Sequence, residues 1–192
     1  MDTNGPGSGL VTYGNDTVNG RNAFGVEWPA VGYYSGRVDK KNTFELVIID
    51  RSDIAAGAFD FEFNYDQIQW ETGEASGGTN GLGGSSARVG YSNGLSGTNN
   101  VSFEFAGSAV NGAFLNGGPN ALVASSLNSN VLGRYAFNSR GGTINNGNPP
   151  PTPTATPAAT MPVLFLSGIM LIGIVTYMKK TRTAYMKKTR TA

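Results

Sequence analysis

The run from Phe59 to Asp66, FDFEFNYD, sets an aromatic ring at every odd position and a polar side chain at every even one. A period of two sends Phe59, Phe61, Phe63 and Tyr65 to one face of a β-strand and Asp60, Glu62, Asn64 and Asp66 to the other. Upstream, Phe44 to Ile49 is almost continuously apolar, interrupted by Glu45, as in a more fully buried strand. A short loop through Gly57 joins the two segments, which predicts a hairpin at the centre of a sheet. A chain holding this pair has little freedom to be anything but β-rich.

The remaining sequence repeats the theme with shorter runs. Leu10–Tyr13 is a candidate strand followed by a turn over Gly14–Gly20. Phe24, Val26 and Trp28 alternate in a half-buried strand that Pro29 should end. Val31–Ser35 is a short strand or extended turn, and Arg37–Lys41 a charged link. Beyond the central hairpin, Glu71–Ser86 is a glycine-rich loop, Ala87–Tyr91 and Val101–Phe105 are strands, and Val131–Phe137 is a closing strand. Pro119–Leu127 is the one plausible helix. Twenty-eight glycines and only 14% charged residues suit short strands and many turns. The expected fold is all-β, an antiparallel sandwich-like domain with at most one short helix, plus a C-terminal transmembrane helix.

Composition also narrows the chemistry. The chain has no Cys and no His, which excludes disulfides, thiolate metal sites, cysteine nucleophiles and imidazole bases. Residues 1–160 carry eight Lys or Arg against all thirteen Asp and Glu, an acidic body that argues against nucleic-acid partners. The glycine-rich loop lacks a GxxxxGK[ST] lysine and a following helix, so it does not read as a phosphate cradle.

From Gly141 the pattern changes. Residues 143–160 form a Pro/Thr-rich linker without apolar periodicity, expected to be an extended spacer. Residues 161–180 combine an uncharged apolar run with a basic end. As a helix, Val163–Met178 spans about 24 Å, a little short of a hydrocarbon core of roughly 30 Å that flanking lysines help to bridge. The lysines beyond it place the β domain outside the cell by the positive-inside rule. Residues 181–192 are a basic tail. Within the C-terminal stretch, YMKKTRTA at 177–184 recurs without change at 185–192, a duplication to which no function is assigned.

The stretches NTFELVIIDRSD (42–53), FDFEFNYDQIQWETGEASGG (59–78), SARVGYSNG (86–94) and GRYAFNSRGG (133–142) resemble the extracellular nidogen-like (NIDO) domain as it occurs in bacterial surface proteins. The resemblance covers about residues 8–142 and implies a non-catalytic adhesion or extracellular matrix module, with no cofactor and no catalytic residues to carry over. Family members usually begin with an apolar strand ending in an ADVDT-like element. This chain starts MDTNG and shows no signal peptide, as though it lacked its N-terminal strand. The C-terminal layout is similar to PEP-CTERM and IPTL-CTERM sorting signals, without a Pro-Glu-Pro triplet; it implies an exosortase-like processing enzyme, and a plain membrane anchor is the alternative. The implied partners are extracellular matrix or cell-surface proteins or glycans, and the membrane through residues 161–178.

Site candidates are few. Asp60, Glu62 and Asp66 share one strand face, and Asp50 and Asp53 flank a turn; such oxygens could take Ca²⁺. Carboxylates two residues apart on a strand lie about 6–7 Å from each other and need loop carbonyls to complete a shell. No DxDxDG loop is present, and a solvated polar face explains the same residues. Glu62, Glu71 and Glu74 are the nominees if the chain were a glycoside hydrolase. Trp28, Trp70, Tyr33, Tyr34 and Tyr91 could make a sugar-stacking platform. Tyr33 and Tyr34 are adjacent, so one faces outward, and Tyr34 is the ligand-binding candidate of a carbohydrate-binding module.

Overall fold

A computed structural model describes residues 1–145. Its main body is one antiparallel sheet in the order β1-β2-β3-β4-β7-β8, formed by Thr12–Val18, Arg21–Tyr33, Arg37–Asp50, Phe59–Gln67, Arg134–Arg140 and Thr143–Asn145. A two-stranded ribbon, β5 (Gly90–Ser92) with β6 (Ser102–Glu104), packs over one face. The all-β, sandwich-like expectation holds, with β3 and β4 paired at the sheet centre.

Register explains why the alternation reaches across strands. Leu46 opposes Phe63 and Ile48 opposes Phe61, while Phe61 and Phe63 in turn oppose Phe137 and Tyr135. Each ring therefore stands beside another apolar side chain on the same face. The ribbon supplies Tyr91 and Phe103, and the following segment supplies Phe105, Phe114 and Leu122, closing a core around Phe61, Tyr65, Tyr135 and Phe137. Phe61 stacks on Phe137 at 4.9 Å, and Tyr91 meets Phe61 edge-on at 5.5 Å. On the opposite face Ala23, Val47 and Ile49 form a smaller apolar cluster.

Several boundaries differ from expectation. The turn predicted over Gly14–Gly20 contracts to Asn19–Gly20, both with positive φ, so that β1 and β2 meet in a two-residue hairpin of the kind Asn-Gly favours. Pro29 does not end β2. The strand continues through an irregularity between Trp28 and Val31, where Ala30 adopts φ 48° and its amide donates to Thr43 Oγ1 at 3.0 Å. A side-chain acceptor thus replaces the missing ladder partner, and the proline sits where no amide is needed. The charged link Arg37–Lys41 is the first part of β3.

The expected helix at 119–127 is reduced to a 3-10 turn over Leu122–Ala124, because Leu122 is drawn into the aromatic core. Thr143–Asn145 pairs with β7, so the sheet takes in residues assigned to the linker. The first residues also belong to the fold: Asp2 bridges to Gly32, and its carboxylate accepts the amides of Asn4 and Gly36, which hold its pKa below the usual carboxylate value. No helix among the described residues is long and apolar enough to cross a membrane. The apolar run at 161–178, the proposed anchor, lies outside the described residues.

Candidate functional site

The ribbon covers β4 and β7 more completely than β1, β2 and β3, and beside it opens a cleft of about 320 Å³. Trp28 and Phe44, cross-strand partners on β2 and β3, form its aromatic floor with rings stacked at 4.9 Å and 17°. Ile68 and Trp70 close one end. Trp70 is fixed by its Nε1–H donating to Val31 O at 3.1 Å. Asn42 accepts the amides of Gln69 and Trp70 and donates to Trp70 O, so the chain leaving β4 is laced to β3 by one side chain. Arg88 also lines the cleft, its Nη1 donating to both carboxylate oxygens of Glu104, at 2.8 and 2.7 Å.

Glu71 sits at the back of this cleft, buried, and acts as a clamp. Its carboxylate accepts the Ser86 hydroxyl at 2.6 Å and the amides of Gly112 at 2.7 Å and Phe114 at 2.6 Å. One side chain therefore ties the glycine-rich loop to the segment that seals the core. That loop needs its glycines for shape: at Gly84, with φ +59°, an added Cβ would lie 2.2 Å from Ser76 O. Glu74 pairs with Arg37 at 3.3 Å. The three glutamates nominated for hydrolysis thus serve different neighbours, because Glu62 is held by Arg134 on the other face of the sheet.

That opposite face carries the acids proposed for calcium. Asp60 accepts Arg140 on Oδ1 and Arg51 on Oδ2, both at 2.6 Å, and Glu62 accepts Arg134. Asp53 is bound by Arg51 at 2.9 Å and Arg21 at 3.2 Å; the Arg51 hydrogen bond, with help from Arg21, pulls its pKa below the usual value. Asp66 is exposed. Among the described residues no group of three or more acidic side chains converges as a metal site. Of the three carboxylates proposed for calcium, Asp60 and Glu62 belong to an arginine–carboxylate lattice, with guanidinium groups from β7 and from the end of β3 on their oxygens, and Asp66 stands apart from it. Sequence reading missed these arginines, although Arg134, Ala136, Asn138 and Arg140 alternate with Tyr135, Phe137 and Ser139 on the same period that betrayed β4.

The aromatic platform does not assemble as one surface. Tyr33 is fully buried, with its hydroxyl on the Asp39 carboxylate at 3.0 Å, and burial followed by that bond raises its pKa. Tyr34 points outward at 54% exposure, as the adjacency of the two residues requires. Tyr91 is part of the ring core. Trp28 and Trp70 alone of the set line the cleft.

An antiparallel sheet roofed by a short ribbon, with an aromatic core and clamped glycine-rich loops, defines an all-β module whose landmarks match a known family. Residues 10–141 match the nidogen-like domain, and the chain belongs to that family. It is similar to alpha-tectorin of chicken, at 35% identity over 131 residues, and to mouse and human alpha-tectorin, each at 38% over 130 residues. The alignments take in 65% of this chain and 5% of each relative, so the chain spans about a twentieth of the length of those proteins. No solved structure matches.

Proposed function

We propose that this chain is a non-catalytic adhesion module of an extracellular matrix or biofilm, displayed at the cell surface. The observation that carries the reading is the nidogen-like match over residues 10–141, with alpha-tectorin as a relative. In this reading the β domain stands on the Pro/Thr-rich stalk, and residues 161–178 tether it to the membrane or serve as a sorting segment. The fates of Glu62, Glu71 and Glu74, one in an arginine pair, one in a backbone clamp and one in a surface pair, support binding rather than acid–base chemistry.

The test uses cells producing the full chain. Protease added to intact cells should remove the β domain, and deleting the chain should reduce attachment to a matrix-coated surface. A β domain protected in intact cells and digested only after lysis would sink surface display. Unchanged attachment after deletion would sink adhesion.

A carbohydrate-binding role is the second reading, favoured by the outward Tyr34 and by the Trp28–Phe44 shelf in the open cleft. Loss of glycan binding on Tyr34→Ala would support it, and a blank glycan array would count against it.

A further inference from the structure

The charged face holds a cavity of about 300 Å³ that is separate from the aromatic cleft. Arg21, Arg51, Arg134 and Arg140 line it together with Asp60 and Glu62. Asp53 adds a third carboxylate by pairing with Arg21 and Arg51. Four guanidinium groups against three carboxylates leave one positive charge in excess.

The hydrogen-bond inventory is unbalanced in the same direction. Both oxygens of Asp60 already accept an arginine. Each guanidinium has five N–H donors, and those of Arg21 and Arg134 are mostly uncommitted here. Arg21 donates Nε and one terminal nitrogen to Asp53, and Arg134 gives one terminal nitrogen to Glu62. Arg134 Nε is buried with no hydrogen-bond partner. A buried donor without an acceptor is costly, and Arg134 Nε is such a donor in the cavity wall.

We propose that this cavity binds a sugar acid: a saccharide unit carrying a single carboxylate, as in a uronic-acid polysaccharide. A carboxylate supplies the missing acceptors in the planar geometry guanidinium prefers. Asn138, also in the wall, carries an amide suited to ring hydroxyls. Densely charged polyanions are disfavoured by the rest of the body, because residues 1–145 hold eight basic side chains and thirteen acidic ones. The single excess charge of the cavity suits a ligand with one negative charge per unit. This gives the adhesion reading a partner chemistry, yet it is measured on purified protein and stands or falls apart from where the chain is displayed.

The experiment titrates the full chain with a uronic-acid oligosaccharide, its neutral counterpart and a glutamate-rich peptide. The acid sugar should bind about tenfold more tightly than the neutral one, in line with charge-assisted hydrogen bonds. Arg134→Gln should weaken acid-sugar binding by about tenfold, and Arg21→Gln by a few-fold. Glu62→Gln removes a competing carboxylate and should tighten it. Should Arg134→Gln fail to fold, Arg21→Gln decides, since Arg21 is tied here to Asp53 at the surface. Equal binding of acid and neutral sugars, absence of binding, or wild-type affinity in folded Arg21→Gln and Arg134→Gln variants would each overturn the proposal. Peptide binding as tight as that of the sugar would reassign the cavity to acidic proteins and overturn it equally.

Discussion

The two halves of the aromatic face carry the same alternation and end in different environments. Over β4 and β7, Phe61 and Phe137 are sealed under the ribbon, with Phe137 at 1% exposure. Over β1, β2 and β3, the residues on the same face include Tyr13 at 73%, Phe24 at 37% and Ile48 at 37%. Strand periodicity decides which face a side chain takes. A second layer decides whether that face leaves water, and here the second layer is short. The predicted consequence is a steep gradient of energetic importance across one sheet.

Phe137→Ala should show the steep end. Its ring meets Phe61, Phe63, Tyr91, Phe103 and Phe105, so truncation leaves a cavity that five rings cannot collapse to fill. A loss of about 3–5 kcal/mol in urea unfolding is expected. A loss under about 1 kcal/mol would mean that the ribbon is not packed on β7 in solution.

Glu71→Ala should come next, at about 3 kcal/mol, since it strands the Phe114 amide in the interior and takes the acceptor from the half-buried Gly112 amide and Ser86 hydroxyl. This effect reaches across the comparison, because the clamp holds both the wall of the open cleft and the segment sealing the core. Hydrogen exchange should rise at Gly112 and Phe114 before it rises in β4. Simultaneous loss in all three places would show that the loops and the sheet form one cooperative unit.

Alkaline pH probes the covered half in another way. Burial, with Tyr135 adding to it, raises the Tyr65 phenol well above its ordinary value, and burial raises Tyr135 as well. In the unfolded chain these phenols ionise near pH 10. Above that pH the unfolded state sheds protons that the folded state keeps, so stability falls as pH rises; below it their contribution is fully present. Tyr65→Phe should flatten the decline above pH 10 relative to wild type. An unchanged slope would place the alkaline sensitivity elsewhere.

The central hairpin was legible in the sequence because its alternation is long and its turn short. The β1–β2 hairpin was also written there, as Val18-Asn19-Gly20-Arg21, but the glycines and asparagines around it made a two-residue turn look like a seven-residue one. Pro29 misled for a physical reason: nothing local announces that Thr43, on the next strand, will accept the amide freed beside the proline. The candidate site was harder still. Acids at 60 and 62 look solvated or metal-binding until strand pairing brings Arg134 beside Glu62 and Arg140 beside Asp60, and those contacts span 72 and 80 residues. Spacing within β4 holds no trace of them.

The shallow end of the gradient is the sharpest test of the comparison. Tyr13 and Phe24 touch each other at 6.1 Å between ring centres, on the half of the face that the ribbon leaves open. Because water already reaches most of the Tyr13 ring, little buried apolar area is lost when it is removed. Tyr13→Ser should therefore cost no more than about 0.5 kcal/mol, near the range of ordinary surface substitutions. Phe24→Ser should cost more, since its ring is mostly covered, yet well under the figure for Phe137. If Tyr13→Ser instead cost about 2 kcal/mol, the open half would be covered in solution by something beyond residues 1–145, and the gradient would belong to the isolated domain rather than to the working protein.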